Sequence, residues 1–343
     1  MYSEFLDQLR TGLTEKKANL TDWLETASPD EKKIHLGTVD EQAVQTHLEV
    51  IETSLDKVEG GIFGLCEICH EDVDTPLLEM DYTSSICLGH FTPQEVESLE
   101  LELELAQTVQ KSLLPQQIPD SPYLDIAAFS RPAQVIGGDY FDFFAWGDGA
   151  QGLAIADVAG HGISAALHMA SIQALLRTLV PTSSSPVEVV RHIQRLLIHN
   201  VNFSNFVTIF LAAYDPATHT LKYCNAGHNP PLLFRRNGER VAYLKWLNPT
   251  GAAIGLIEDL VLNESTVQVQ PDDFLVLYTD GLTEASDNTG EQFGPERLSE
   301  SVQRWANGSS AGLVQHIRQD LLEFTPAELL DDDTTILACR FRS

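Results

Sequence analysis

The sequence predicts an α+β chain: antiparallel β-sheets packed as a sandwich with helices outside, preceded by a helical, cysteine-bearing module and a helical linker. Three observations lead there. β-Rich runs after Leu124 come mostly in adjacent, hairpin-like pairs, which favours antiparallel sheets over a doubly wound parallel one. Between them, Ala165 to Val180 and Val187 to Asn200 carry helical apolar spacing. In the first third, Cys66-x-x-Cys69 and Cys87-x-x-His90 follow a helical pattern. At 343 residues the chain exceeds the usual size of one core, so a division into 1–91, 92–115 and 116–343 is expected.

Taken in order, Phe5, Leu6, Leu9 and Leu13, extended by Leu20, Trp23 and Leu24, predict an amphipathic helix. A second helix over Val39 to Val58 uses Val44, Leu48, Ile51 and Leu55, and the Gly60-Gly61 pair can stop it. The two can pair as a short hairpin. After the cysteines, TPQEVESLELELELAQTVQKSLLP alternates Leu and Glu like a strand, but its length decides for a helix ended by Pro115. Val96, Leu99, Leu103, Ala106 and Leu113 follow heptad-like spacing, broken at Gln110. That stripe reads either as packing on its own domain or as a parallel dimer linker.

The strand runs are DIAAFS, GLAIADV, FVTIFLAAYD, LKYCNAG, PLLFRR and DFLVLYTDG. No stretch reads as a membrane span, and the start MYSEFLDQLR lacks the plan of a signal peptide, so a cytoplasmic protein is expected. Cysteine usage agrees, since Cys224 and Cys339 stand alone. The net charge of -29 is concentrated in front, where Met1 to Asp120 holds 7 Lys/Arg against 25 Asp/Glu. Such a field disfavours direct binding to nucleic acid or to an anionic membrane surface. A basic protein partner or a bound cation fits better.

Cys66, Cys69, Cys87 and His90, with 17 residues between the two knuckles, suit one tetrahedral zinc ion held by three thiolates and an imidazole. Four protein ligands leave no open position, so this zinc is expected to be structural. The stretch Glu49 to Phe91 resembles the zinc finger of the DksA/TraR family, with His90 where that family often has a fourth Cys. The resemblance implies the finger fold, its zinc and an RNA polymerase contact, although the helices in front are short for that family's hairpin.

Four carboxylate motifs lie beside glycines or at the edges of hydrophobic strands. They are GGDYFD (Asp139, Asp142), ADVAGHG (Asp157), YTDG (Asp280) and DDDT (Asp331, Asp332, Asp333). Each alone reads as a turn or a solvated acidic patch. Converging, they form an oxygen-rich pocket for hard divalent cations, two of which activate a water and clamp a phosphoryl group.

These motifs, with AQTVQKSLLP, RPAQVIGGDYFD, IADVAGHGISAALHMA, NAGHNPPLL, PTGAAIGL and FLVLYTDGLTEA, resemble the SpoIIE/RsbU-type branch of the PP2C phosphatases from Glu104 to Phe341. The resemblance implies a PP2C-like sandwich and hydrolysis of phosphoserine or phosphothreonine with two Mg2+ or Mn2+ ions. It further implies a phosphorylated regulatory protein, of the anti-sigma-factor antagonist type, as partner. Carried over by residue, Asp139 and Asp157 bridge the ions beside the Val158 carbonyl, Asp280 and Asp331 complete the coordination of the second ion, and Asp332 is the alternate. The helix after Gly162 points its N-terminal dipole at the phosphate.

His161 stands where a proton donor to the leaving oxygen is useful, or is a histidine that orients a neighbour or faces solvent. His228 reads as a structural turn residue before it reads as a catalyst. Arg131 is near in sequence but is no secure phosphate-binding arginine. The competing expectation is a transcription-linked binding module in which the finger engages RNA polymerase and the phosphatase fold serves as a sensor. In the leading one the zinc module regulates the phosphatase of a homodimer through the linker helix.

Overall fold

The computed structural model describes residues 41–73, 84–160, 162–197, 206–237, 240–257, 260–306, 308–325 and 332–342, and isolated helical positions between 10 and 21. Two compact units divide the chain, one within residues 1–102 and one within 103–201 and 205–343. The boundary falls inside the predicted linker helix.

In the first unit, helix α1 (Glu41–Glu59) occupies most of the stretch expected from Val39 to Val58. It stops where the backbone turns left-handed at Gly61 (φ 66°), and the Gly60 and Ile62 amides donate to the Asp56 and Lys57 carbonyls. The helix before it falls mostly outside the described residues. Leu13 is nonetheless buried, as is Ile51, and Lys17 pairs with Glu52 at 3.0 Å, as a helical hairpin requires. Helix α2 (Pro93–Leu113) is continuous, so length did outrank the Leu/Glu alternation. The Thr92 hydroxyl accepts from the Glu95 amide (3.3 Å) while Glu95 accepts from the Thr92 amide (2.8 Å), a reciprocal box that fixes its start. The predicted stripe is half-buried, and Leu101, Leu105 and Val109 form a second, exposed one.

The second unit is a sandwich of two five-stranded sheets, ordered β1-β10-β9-β6-β7 and β2-β3-β4-β5-β8. Its strands are β1 (Leu124–Arg131), β2 (Tyr140–Ala145), β3 (Gln151–Val158), β4 (Val207–Asp215), β5 (Thr220–Ala226), β6 (Leu232–Asn237), β7 (Arg240–Trp246), β8 (Ser265–Gln268), β9 (Phe274–Tyr278) and β10 (Thr334–Phe341). Pairing within both sheets is antiparallel, as the hairpin spacing predicts. Phe210, Tyr214, Leu275, Leu337 and Phe341 meet between the sheets.

Helices α3 (Gly162–Leu179) and α4 (Pro186–Leu197) cover the β2 sheet through Met169, Ile172, Leu176, Val190 and Ile193. The short α5 (Asp280–Thr283), α6 (Gly294–Trp305) and α7 (Ser310–Phe324) lie on the β9 side, burying Leu298, Val302, Leu313 and Ile317. The α6–α7 pair was not anticipated.

The expectation that no stretch could span a bilayer is corrected, because Gly162–Thr182 has the length and a mean hydropathy of 1.3. Five of its side chains, Ala165, Met169, Ile172, Leu176 and Val180, are spent on the core. Its C-terminal turn is pinned by Arg177, which donates to both oxygens of the fully buried Asp142 (2.6 and 2.7 Å). Asp142 therefore belongs to a helix anchor and not to the acidic pocket.

Candidate active site

Four strand ends meet at one end of the sandwich. Asp139 immediately precedes β2, and Asp157 and Val158 close β3. Asp280 opens the turn after β9, and Asp332 and Asp333 lead into β10. Because Tyr140 pairs with Ala156, one step further along that ladder brings Asp139 and Asp157 to the same end. Asp139 and Asp157 come from one sheet, and Asp280 and Asp332 from the other.

The electrostatics record the convergence. Burial, then Asp157 and Asp333, push the Asp139 carboxyl well above the usual range. Burial, followed by Asp280, Asp332, Asp333 and Glu284, raises Asp157 to about 7. Burial, Asp332 and Glu284 raise Asp280 to about 6. So many negative groups without a compensating cation are costly, and the donor set is all oxygen, which is what a hard divalent ion takes.

Asp139 shows the fit most directly. Its Oδ2 accepts from the hydroxyls of Thr279 (2.8 Å) and Thr335 (2.7 Å), while its buried Oδ1 has no hydrogen-bond partner. A buried carboxylate oxygen left bare on one side is suited to a cation. Asp333 does other work: its Oδ1 accepts from the Ala133 amide (2.8 Å) and its Oδ2 from the Gly138 amide (2.6 Å), tying the 133–138 loop to β10. Glycine is required along this seam, since a Cβ on Gly137 would overlap the Asp333 carboxylate and one on Gly281 the Asp333 carbonyl. A Cβ on Gly138 would stand 2.7 Å from the Val158 carbonyl oxygen, which therefore faces the same bend.

Asp139, Asp157, Asp280, Asp332 and the Val158 carbonyl are thus gathered at one place. Asp331 and His161 lie outside the described residues. Arg131 ends β1 opposite Thr334, at the edge of the site. His228 is buried, and its Nδ1 meets the Thr208 hydroxyl at 2.8 Å beside Asp157 on the β3–β4 ladder. Burial drives it down to about 3, so it is neutral. Asp333 was named only as part of DDDT, without a role of its own, and Thr279, Thr335 and Glu284 were not singled out from sequence; the TT of DDDTT and the T of YTDG, next to aspartates already named, were the available signal for the threonines.

In the first unit, the ligand atoms of Cys66, Cys69, Cys87 and His90 all lie within 4.8 Å of one another. Burial acts to raise Cys66, but amides of Cys69, Cys87 and Ile68 outweigh it and bring the thiol to about 6. Burial and the neighbouring sulfurs push Cys87 up to about 11. Three sulfurs and an imidazole so disposed can hold one tetrahedral zinc.

Residues 147–342 match the family model described as stage II sporulation protein E (SpoIIE), more than half of the chain. The chain belongs to the SpoIIE family. Its second unit is accordingly a PP2C-type serine/threonine phosphatase. Phosphoserine phosphatase RsbU of Bacillus subtilis is 32% identical to this SpoIIE-family chain over 247 residues, spanning 72% of it and 71% of RsbU. Phosphoserine phosphatase RsbP of the same organism is 31% identical over 185 residues, 53% of this chain but 45% of RsbP. The SiaA-PP2C domain of Pseudomonas aeruginosa superposes with a TM-score of 0.59 at 22% identity, covering 73% of this chain and 98% of that domain, a likeness of fold.

Proposed function

We propose that this SpoIIE-family protein hydrolyses phosphoserine or phosphothreonine on a regulatory protein of the anti-sigma-factor antagonist type. The carrying observation is the bare, buried Oδ1 of Asp139 among converging carboxylates. The names of RsbU and RsbP, both phosphoserine phosphatases, support the substrate class.

Asp139 and Asp157 hold two Mg2+ or Mn2+ ions with the Val158 carbonyl, and Asp280 with Asp332 or Asp331 completes the set. When bound, such ions supply an activated water and a clamp on the phosphoryl oxygens. Thr279 and Thr335 orient Asp139 by occupying its other oxygen. Asp333 and the glycines hold the loop that carries it. Helix α3 begins four residues past Val158 and turns its N-terminal amides toward an incoming phosphate, with Gly160 (φ 93°) and Gly162 (φ 74°) making the entry.

The module 1–91 holds a structural zinc in a DksA/TraR-like finger. It acts on the catalytic domain 116–343 through the linker 92–115, whose exposed Leu101, Leu105 and Val109 suit a homodimer. Asp139→Ala or Asp157→Ala abolishes Mn2+-dependent phosphate release from a phosphorylated antagonist protein while the fold persists; full activity in either defeats the mechanism. Deleting Met1 to Phe91 changes basal activity, oligomeric state or response to partners. If it changes none of them, the regulatory part falls.

A further inference from the structure

Gln110 is the residue that breaks the apolar seam of α2, and its side chain has a definite occupation. Its Nε2 donates to the Gly137 carbonyl (2.5 Å) and its Oε1 accepts from the Gly137 amide (3.1 Å). One carboxamide thereby brackets the whole peptide face of a single glycine. One turn earlier, Gln107 Nε2 donates to the Val135 carbonyl (3.1 Å). Two successive glutamines of α2 thus grip the backbone of the 133–138 loop.

That loop is the one Asp333 also ties down, through the Ala133 and Gly138 amides. Gly137 has no room for a side chain, because the Asp333 carboxylate fills the space where a Cβ would be. A small cavity of about 80 Å³ lies here, lined by Gln107, Gln110, Leu114, Gly137, Asp139 and Asp333 among others. The position of Asp139, two residues on, is therefore set by two clamps: one from Asp333, just before β10, and one from α2.

We propose that Gln110 is a positioning residue which sets the divalent-cation affinity of the carboxylate cage by fixing the Gly137 peptide, and through it Asp139. The proposal rests on the metal-dependent reading of the site. The physical reason is that a cation needs its oxygens within a few tenths of an ångström of their places, and freeing one clamp lets the first ligand wander. Gln110 touches neither the ions nor the substrate, so its loss weakens metal binding and leaves the chemistry of the loaded site in place.

The test uses the full-length, zinc-loaded protein titrated with Mn2+, with free Mn2+ followed by electron paramagnetic resonance and phosphate release measured in parallel. Gln110→Met keeps the side-chain length and removes both hydrogen bonds. Mn2+ affinity is expected to fall about tenfold, which is what losing one or two such bonds amounts to. At saturating Mn2+, kcat and the substrate KM remain near those of the unchanged protein.

Gln110→Asn, which keeps the amide but cannot reach, serves as the second variant should the first not fold, with the same expectation. Mn2+ affinity unchanged in a folded variant overturns the proposal, and so does a loss of kcat at saturating Mn2+ without a change in affinity. An Asp139→Asn control separates the premises: if it still binds Mn2+ and turns over, the cage reading itself fails and this proposal with it. If it is inactive while Gln110→Met binds Mn2+ normally, only the role of Gln110 is lost.

Discussion

Replacing Asp157 by Asn should make the protein more stable and inactive, and the size of the gain follows from the crowding of the site. Asp157 is raised from 3.8 to about 7 by burial and by four acidic neighbours. A carboxyl held that far above its unfolded value disfavours the folded, ionised state by up to about 4 kcal/mol. Part of that is relieved by relaxation and water around the open end of the cage, so about 2 kcal/mol is a fair expectation. At about 2–4 °C per kcal/mol for a domain of this size, the melting temperature rises by several degrees.

The sign is fixed by linkage. The folded chain holds the Asp157 proton more tightly than the unfolded one, so the stability this group contributes is full below about pH 4 and is lost as pH rises through about 7. The Asp157→Asn protein has no such proton. Melts in buffer stripped of Mg2+ and Mn2+ should therefore nearly coincide at pH 4.5 and separate by pH 8. Adding Mn2+ should raise the melting temperature of the unchanged protein and that of the variant much less. Coincident melts at pH 8, or a gap independent of pH, would refute the reasoning.

Other substitutions probe separate parts of the structure. Arg177→Ala strips the cationic partner from fully buried Asp142, leaving it the Tyr140 hydroxyl and the Phe143 amide, and should cost about 2 kcal/mol in urea unfolding, below the value for a wholly buried pair because Arg177 is half exposed. Gly281→Ala forces a Cβ against the Asp333 carbonyl, so phosphate release should fall at least tenfold, a change that kinetics at saturating Mn2+ will read. Cys69→Ser should lower the zinc content from one ion per chain toward none by atomic absorption, while the melting of the phosphatase unit stays in place.

Much of this was legible in the sequence, for physical reasons that also mark its limits. Each acidic motif alone reads as a turn, but Asp139 after Gly138, Asp157 at the end of GLAIADV and Asp280 before Gly281 all stand at the edges of hydrophobic strands, so the set could be singled out. The three consecutive aspartates could be ranked only through the resemblance, Asp331 before Asp332, since facing is decided by how the chain enters β10. There Asp332 adds its charge to the cage, while Asp333 turns to the amides of Ala133 and Gly138. Thr279 and Thr335 were missed because a hydroxyl has no charge to betray it. Gln110 looked like a defect in a heptad because spacing counts only apolar contacts. The α6 and α7 helices have an amphipathic pattern, with Leu298, Val302, Leu313 and Ile317 inward, that passes unnoticed between the acidic motifs.

The cage draws its oxygens from both leaves of the sandwich, and Thr279 and Thr335 of one leaf already reach across to Asp139 of the other. Ions lodged there would work as rivets through two plates as well as reagents. Stripping them should loosen that rim first, and the amides around Gly138 and Thr279 should then trade protons with solvent long before the opposite rim does.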